Sequence, residues 1–141
     1  MLFRSPEATV WAVCGDGGFQ MSIPELSTIA QEQINVKICI LNNGHLGMVR
    51  QWQDFFYKKN YVATPIFNPD YVKLGAAYGI PAWTVDRPAD VAGAVAAALA
   101  HDGPALINFE VAQEENVYPM IPSGKTIKDM IESEEARLAP V

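Results

Sequence analysis

Short apolar runs alternate along the chain with segments in which apolar residues recur at helical spacing. The runs are typical of strands covered on both faces, and they lie at Thr9–Cys14, Val36–Leu41, Ala82–Val85 and Ala105–Val111. The segments predicted as helices are Ser22–Gln33, Met48–Phe56, Pro69–Tyr78 and Ala89–Ala100. This order predicts a single α/β domain with a doubly wound, mostly parallel sheet and helices on both faces.

The apolar spacing also groups residues on faces of the helices. The expected buried faces are Ile29 and Ala30 of one helix and Tyr71, Leu74 and Tyr78 of another. Met48, Trp52, Phe55 and Phe56 share one helical face, and Val91, Val95 and Leu99 share another. The sequence Ser22-Ile23-Pro24-Glu25 has the form of a capping box, so a helix should begin there. The tail Gln113–Val141, with a short amphipathic stretch at 127–131, is expected to dock on the domain or on a neighbour.

Composition and charge limit the class of protein. The chain has 141 residues, of which half are hydrophobic and 18% are charged, as in a folded domain. The net charge of −6 without a Lys/Arg cluster argues against nucleic acid and anionic membranes as partners. No apolar stretch approaches the roughly 20 residues of a membrane span. Cys14 and Cys39 lack metal-site spacing, and Met1–Pro6 is too short and polar for a signal peptide, so we expect a cytoplasmic protein with reduced thiols.

Two glycine-containing motifs follow the first two predicted strands. Gly15-Asp16-Gly17 ends the first strand, Asn42-Asn43-Gly44 follows the second, and 24 residues separate them. That gap fits a crossover between parallel strands, so both motifs should lie at the carboxyl edge of one sheet, where open α/β folds bind ligands. Either motif alone is typical of an ordinary turn. Together, at this spacing, they favour a ligand site.

The residue types suit magnesium and a diphosphate. Mg²⁺ prefers about six oxygen ligands and usually shares them with water and substrate phosphates. Asp16 can supply a carboxylate oxygen, Asn43 an amide oxygen, and the turn at His45 a backbone carbonyl. A neutral Asn adds no repulsion beside a charged diphosphate. The glycines expected to allow tight turns and close approach of phosphate oxygens are Gly15, Gly17, Gly18, Gly44 and Gly47.

Longer stretches resemble one enzyme family. Gly-Asp-Gly followed at this distance by Asn-Asn resembles the signature of thiamine-diphosphate-dependent enzymes. Within that family, the stretches 15–21, 41–49, 51–53 and 118–124 look like the large catalytic subunit of acetolactate synthase. The likeness covers about residues 6–131. We expect residues 1–5 to be a non-native start and residues 132–141 to be a tail.

The resemblance implies cofactors and residue roles. The cofactors would be thiamine diphosphate and Mg²⁺, with Mg²⁺ held by Asp16, Asn43 and the backbone carbonyl of His45. The implied cofactor-binding residues are Gly15, Asp16, Gly17, Gly18, Asn43, His45, Leu46, Gly47 and Met48. Met48, Trp52 and Ser123 would line the substrate channel. The plainer alternatives are that Trp52 is a core residue and that Ser123 belongs to an ordinary turn. His45 is expected to act through its backbone, with its side chain solvated in the loop.

The resemblance also implies a reaction. Acetolactate synthases decarboxylate pyruvate and join the remaining two-carbon unit to a second 2-oxo acid in branched-chain amino acid biosynthesis. Family members carry the activating glutamate on an N-terminal domain and bind FAD in a middle domain, and this chain is too short to contain either. It is therefore expected to be a fragment, inactive alone, of an enzyme that forms a homodimer or tetramer, with or without a small regulatory subunit.

Other functions stay open at this point. The chain could belong to another thiamine-diphosphate enzyme acting on pyruvate, of the oxidase or decarboxylase type, and product analysis would separate these. It could also be a non-catalytic binding or assembly module. A dinucleotide-binding domain is poorly supported, because Gly15–Gly18 lacks the G-x-G-x-x-G spacing.

Overall fold

A computed structural model describes residues 8–134, which fall into two compact units. The first unit contains the described residues up to His45 together with Ile66–Gln113. The second contains Leu46–Pro65 together with the described residues from Glu114 onward. Across residues 8–134, none of the helices has the length and apolar character needed to cross a membrane.

The first unit is built on a four-stranded parallel sheet. Its strands are β1 (Val10–Gly15), β2 (Val36–Asn42), β3 (Ala82–Val85) and β4 (Ala105–Glu110), in the order β1-β2-β4-β3. All three strand pairs are parallel, and the register places Gly15 beside Leu41 and Asn42 beside Glu110. The carboxyl ends of β1, β2 and β4 therefore share one edge, as the motif spacing predicts.

The helices within residues 8–134 include one that the sequence pattern does not predict. Their bounds are α1 (Asp16–Gln20), α2 (Glu25–Gln31), α3 (Gly47–Phe56), α4 (Tyr71–Ala77) and α5 (Val91–Ala100), with a 3₁₀ turn at Pro88–Asp90. β1 passes directly into α1, where a loop was expected. Gly17 and Gly18 lie inside this short helix, so their predicted use in a strand-to-loop turn is wrong.

Alternate strand residues contribute to two apolar clusters on opposite faces of the sheet. The cluster beside α1, α2 and α4 includes Phe19, Leu26, Ile38, Ile40 and Tyr71. The cluster beside α5 includes Cys39, Val85, Ala94, Ala98 and Ile107. Neighbouring residues of β2 thus point to opposite sides, as the period of a strand requires. The predicted α/β class, with helices on both faces of a parallel sheet, is confirmed.

The buried face of α5 is formed by its small residues. Ala94 and Ala98 are buried against the sheet, whereas Val91 and Leu99 are 39% and 51% exposed. Alanine side chains let the helix backbone approach the sheet closely, and the larger Val91 and Leu99 then lie outside the contact. Apolar periodicity cannot identify the inner face of a helix in which nearly every residue is apolar.

The start of α2 also differs. The helix begins at Glu25 with Pro24 in the N-cap position, and no side chain caps it. Ser22 instead accepts a hydrogen bond from the Glu25 amide through its own backbone carbonyl, at 3.1 Å. A backbone turn thus replaces the predicted capping box.

β1 is more exposed than its apolar sequence predicts. Among the described residues it pairs only with β2, and Val13 is 64% exposed. The expectation that this strand is covered on both faces is wrong for residues 8–134. Cys14 is half-buried and Cys39 is buried, and both are free thiols. Burial raises the pKa of each thiol.

Lys37 is a buried cation at the start of β2. The residue is 1% exposed, and its Nζ donates hydrogen bonds of 2.7 Å to the backbone carbonyls of His101 and Gly103. Both carbonyls lie in the segment that follows α5, so the ammonium group satisfies two backbone acceptors there. Burial lowers the pKa of Lys37.

In the second unit, α3 buries polar side chains. Arg50 and Gln51 are each 2% exposed, whereas Met48 is 52% exposed. Gln51 bonds the backbone of Val117 in both directions, at 2.9 and 2.7 Å, and Arg50 donates to the Asn116 side chain at 2.6 Å. The buried side of α3 is therefore polar within this unit, and specific hydrogen bonds to residues 116–117 set its orientation.

The amphipathic stretch near the C-terminus forms a short capped turn. Thr126 and Asp129 make a capping box around the 3₁₀ turn Ile127–Asp129, and Ile131 forms an antiparallel bridge with Met120. Part of the expected tail, residues 132–141, lies outside the described residues.

Candidate functional site

Asp16 brings the two glycine motifs together. It follows β1 as the first residue of α1 and is 2% exposed. Its Oδ2 accepts a hydrogen bond of 2.9 Å from the Gly44 amide and one of 2.7 Å from the Asn68 side chain. Within residues 8–134 its other oxygen, Oδ1, accepts no hydrogen bond. A buried carboxylate thus keeps one oxygen available for a ligand.

The turn after β2 holds its amide groups in fixed positions. The Oδ1 of Asn42 accepts from the Gly44 amide at 3.1 Å, and the Oδ1 of Asn43 accepts from the His45 amide at 3.0 Å. Gly44 has a φ of +68°, which glycine adopts without the strain of a side chain. The predicted glycine turn is confirmed at this position.

The His45 side chain differs from the expected solvated ring. The residue is half-buried, and its Nδ1 lies 3.1 Å from the Asn43 carbonyl. The imidazole is therefore held against its own turn.

Asn68 links the site residues and has no counterpart in the sequence prediction. Its Nδ2 donates to Asp16 Oδ2 at 2.7 Å and to Asn42 Oδ1 at 2.8 Å. Its Oδ1 accepts from Gln20 Nε2 at 2.6 Å and from the Tyr71 hydroxyl at 2.8 Å. The sequence Asn68-Pro69-Asp70 signals a turn before α4, but nothing in it indicates a partner 52 residues away.

Tyr71 supports this network from the core. It is 2% exposed, and its ring packs edge-on against Phe19 with centroids 5.5 Å apart. Burial, with the charge of Asp16 as a second cause, raises the pKa of Tyr71 to about 12. The phenol thus stays protonated at neutral pH and remains a hydrogen-bond donor.

The surface beside Asp16 is open. A Cβ added at Gly15 or Gly18 would meet nothing within 4 Å, and neither residue has a positive φ. Beside the second motif lies a polar recess of about 200 Å³, lined by Asn42, Asn43 and Gln113 among others. Glycine at 15 and 18 is therefore not demanded by the fold of this unit, and both positions leave room for a bound group.

The remaining predicted site residues belong to the second unit. Leu46 precedes α3, and its amide donates to the Thr64 carbonyl at 2.8 Å, while Gly47 is the first residue of the helix. Met48 is 52% and Trp52 36% exposed. Ser123 is exposed. Trp52 also packs against Phe56, with ring centroids 5.0 Å apart.

The donor set of the first unit fits a hard cation that shares its coordination with phosphate. Within the described part of the chain, no group of three or more His, Cys, Asp or Glu side chains could hold a metal by itself. What is present is one free carboxylate oxygen beside amide and carbonyl oxygens, a set that suits Mg²⁺ when a diphosphate supplies the other ligands.

A parallel sheet brings the buried Asp16 onto an Asn-Asn-Gly turn at its carboxyl edge, which is where open α/β domains bind ligands. Comparison with known families agrees. Residues 1–109 match the family described as thiamine pyrophosphate enzyme, C-terminal TPP binding domain, and the chain belongs to this family. Thiamine pyrophosphate is another name for thiamine diphosphate.

Curated relatives carry the name acetolactate synthase. The chain is 43% identical over 128 residues to the enzyme from Arthrospira platensis, matching 89% of this chain and 22% of the relative. It is 39% identical over 128 residues to acetolactate synthase isozyme 2 large subunit from Escherichia coli K12, matching 90% of this chain and 23% of the relative. The chain therefore spans less than a quarter of the length of these relatives.

A solved structure has the same fold. It is the thiamine diphosphate-dependent 4-hydroxybenzoylformate decarboxylase from Rhodococcus jostii RHA1, with a TM-score of 0.73 and 32% sequence identity. The match covers 81% of this chain and 22% of that one.

Proposed function

We propose that this chain is the Mg²⁺- and diphosphate-anchoring domain of an acetolactate synthase. The observation that carries the proposal is the contact of Asp16 with the turn after β2, which leaves one carboxylate oxygen without a hydrogen bond among residues 8–134. In this proposal Asp16, Asn43 and the His45 carbonyl hold the metal. The domain boundaries at residues 6 and 131 stay a prediction.

The charges of the site support a metal-bound diphosphate. Asp16 supplies one negative charge, whereas Asn42, Asn43 and Asn68 are neutral. A second carboxylate would repel the phosphate oxygens, since like charges about 4 Å apart cost several kcal/mol at a partly buried site. The neutral amides bind and orient without that repulsion.

The glycines would admit the phosphate groups. Gly15, Gly17 and Gly18 surround Asp16 in sequence, and the open space at Gly15 and Gly18 is where we place the approach of phosphate oxygens. The Gly44 amide is occupied by Asp16, so its role is to hold the carboxylate and not to bind phosphate directly.

When bound, thiamine diphosphate supplies the electron sink for decarboxylation of a 2-oxo acid. The proposed substrates are pyruvate and a second 2-oxo acid. We assign no catalytic residue to this chain; the activating glutamate and an FAD site are expected on other domains. The homodimer or tetramer, the regulatory subunit and the cytoplasmic location likewise stay predictions.

Leu46, Gly47 and Met48 are proposed to extend the cofactor site, and Met48, Trp52 and Ser123 to line the substrate channel. The exposure of Met48 and Ser123 supports this over a core role, and Trp52 is exposed enough to contact a ligand. A pyruvate oxidase or decarboxylase would use the same anchor, so the identity of the products separates these alternatives.

Calorimetric titration of thiamine diphosphate into the purified chain, with and without Mg²⁺, tests the anchor. We expect binding that requires Mg²⁺ and is lost in Asp16→Ala. Asp86→Ala is the matched control, because its carboxylate lies on the exposed surface of the same unit. Binding that is independent of Mg²⁺, or that survives Asp16→Ala, would contradict the proposal.

A further inference from the structure

We propose that Asn68 is a positioning residue that aims the free oxygen of Asp16 at the bound cation. This inference rests on the proposed Mg²⁺ site and adds a residue that makes no contact with the metal in the assignment above. Its basis is the hydrogen-bond arrangement between Asn68, Asp16 and Asn42.

The side chain of Asn68 uses its full hydrogen-bonding capacity. Its two N–H groups donate to Asp16 Oδ2 and Asn42 Oδ1, and its oxygen accepts two hydrogen bonds. The amide orientation is fixed on both sides, because an ionised Asp16 carboxylate can only accept, and because Gln20 Nε2, which also donates to the Phe67 carbonyl at 2.9 Å, needs the Asn68 oxygen as its acceptor. The NH₂ group must therefore face Asp16.

The consequence for Asp16 is a defined carboxylate rotation. Oδ2 is held by two donors, Asn68 Nδ2 at 2.7 Å and the Gly44 amide at 2.9 Å. Oδ1, which accepts no hydrogen bond within residues 8–134, is turned away from both donors. Without Asn68 the carboxylate would keep one donor and could rotate about its terminal bond, so the ligand oxygen would no longer have one position.

Asn68 also couples the two motifs through side chains. The same NH₂ group that holds Asp16 holds Asn42, whose neighbour Asn43 is the proposed amide ligand. Partners of this kind, which orient a ligand without touching the metal, typically change metal affinity by about 10–100-fold when they are removed.

The test uses Mn²⁺ as the probe, in the presence of excess thiamine diphosphate and the full 141-residue chain. Water-proton relaxation reports Mn²⁺ that tumbles with the protein and gives its dissociation constant. We expect Asn68→Ala to raise that constant by about tenfold or more. Tyr71→Phe, which keeps the buried ring and removes one of the donors that fix the amide, should raise it less.

Asp70→Ala is the matched control for a purely structural effect. Asp70 caps α4 by accepting from the Val72 and Lys73 amides, two residues from Asn68, and it does not contact Asp16. It should lower thermal stability while leaving the Mn²⁺ dissociation constant unchanged at a temperature where every variant is folded by circular dichroism.

The outcomes separate the two proposals. If the unsubstituted chain binds Mn²⁺ and Asp16→Ala does not, but Asn68→Ala binds normally, the positioning role is wrong and the metal site stands. If Asp70→Ala weakens Mn²⁺ binding as much as Asn68→Ala, the role of Asn68 is structural only. If the unsubstituted chain binds no Mn²⁺, both proposals fail.

Discussion

Replacing Lys37 with methionine should destabilise the first unit by about 2–4 kcal/mol. Two hydrogen bonds from a charged group contribute about 3–6 kcal/mol together, and methionine removes the cost of burying the ammonium, which offsets part of that loss. The substitution keeps an apolar stem of similar length and removes only the Nζ donor. Two carbonyls lose a partner 2.7 Å away, at His101 and at Gly103. Gly103 is buried, so its carbonyl would be left without any hydrogen-bond partner. His101 is half-buried, so its carbonyl can be partly rehydrated.

Urea denaturation followed by circular dichroism gives the free energy of unfolding directly. Lys73→Met is the matched control, because the Lys73 side chain is 86% exposed in a surface ion pair with Asp70. That control should change stability by less than about 1 kcal/mol. If Lys37→Met changes the free energy of unfolding no more than Lys73→Met does, water or a backbone rearrangement satisfies the two carbonyls and the reasoning about Lys37 is wrong.

The difference in the free energy of unfolding between the unsubstituted chain and Lys37→Met should depend on pH. Burial lowers the pKa of Lys37 in the folded state below its ordinary value of 10.5. The cost of burying the ammonium is therefore fully present at neutral pH. It is relieved as the pH rises from the folded-state pKa towards 10.5, so the unsubstituted chain should gain stability relative to Lys37→Met over that interval.

Three further predictions concern the site, the thiols and activity. Gly44→Ala should cost about 1–2 kcal/mol in urea denaturation because φ is +68° there, whereas Gly18→Ala should leave stability unchanged or raised yet weaken thiamine diphosphate binding in calorimetry. If Gly44→Ala and Gly18→Ala changed stability equally, the argument that the turn after β2 needs glycine at position 44 would be wrong. Cys14 and Cys39 should react slowly with iodoacetamide at pH 8, because their raised pKa keeps them as thiols; rapid labelling of the native chain would disagree. The purified chain with pyruvate, thiamine diphosphate, Mg²⁺ and FAD should form no acetolactate, and a positive colorimetric assay would overturn that expectation.

The sequence predicts the sheet well because its strands are nearly unbroken apolar runs. The bounds of β3 are the same in prediction and structure, and the other three strands differ by a residue at one or both ends. The contact of Asp16 with the turn after β2 was predictable for the same reason, since parallel strands separated by one crossover must end at a common edge. Local pattern and global topology agree here.

The rest depends on contacts that no local pattern encodes. Asn68 reaches Asp16 across 52 positions, and its own neighbours indicate only a turn. α3 buries Arg50 and Gln51 because residues 116–117 offer matching hydrogen-bond partners, so its apolar stripe points the other way within its unit. In α5, Ala94 and Ala98 face the sheet because small side chains let the helix lie close to it, and the sequence pattern does not contain the distance between helix and sheet.

The exposed outer side of β1 has a practical consequence for producing this chain. Among residues 8–134 β1 has a strand partner on one side only, and its unpaired backbone edge, next to exposed apolar side chains such as Val13 at 64%, can recruit another molecule, which leads to aggregation at high concentration. Natural sheets often prevent this with a lysine at the edge. Val13→Lys would place a charge where the side chain is already solvated, and it should delay precipitation of the concentrated protein at little cost to folding.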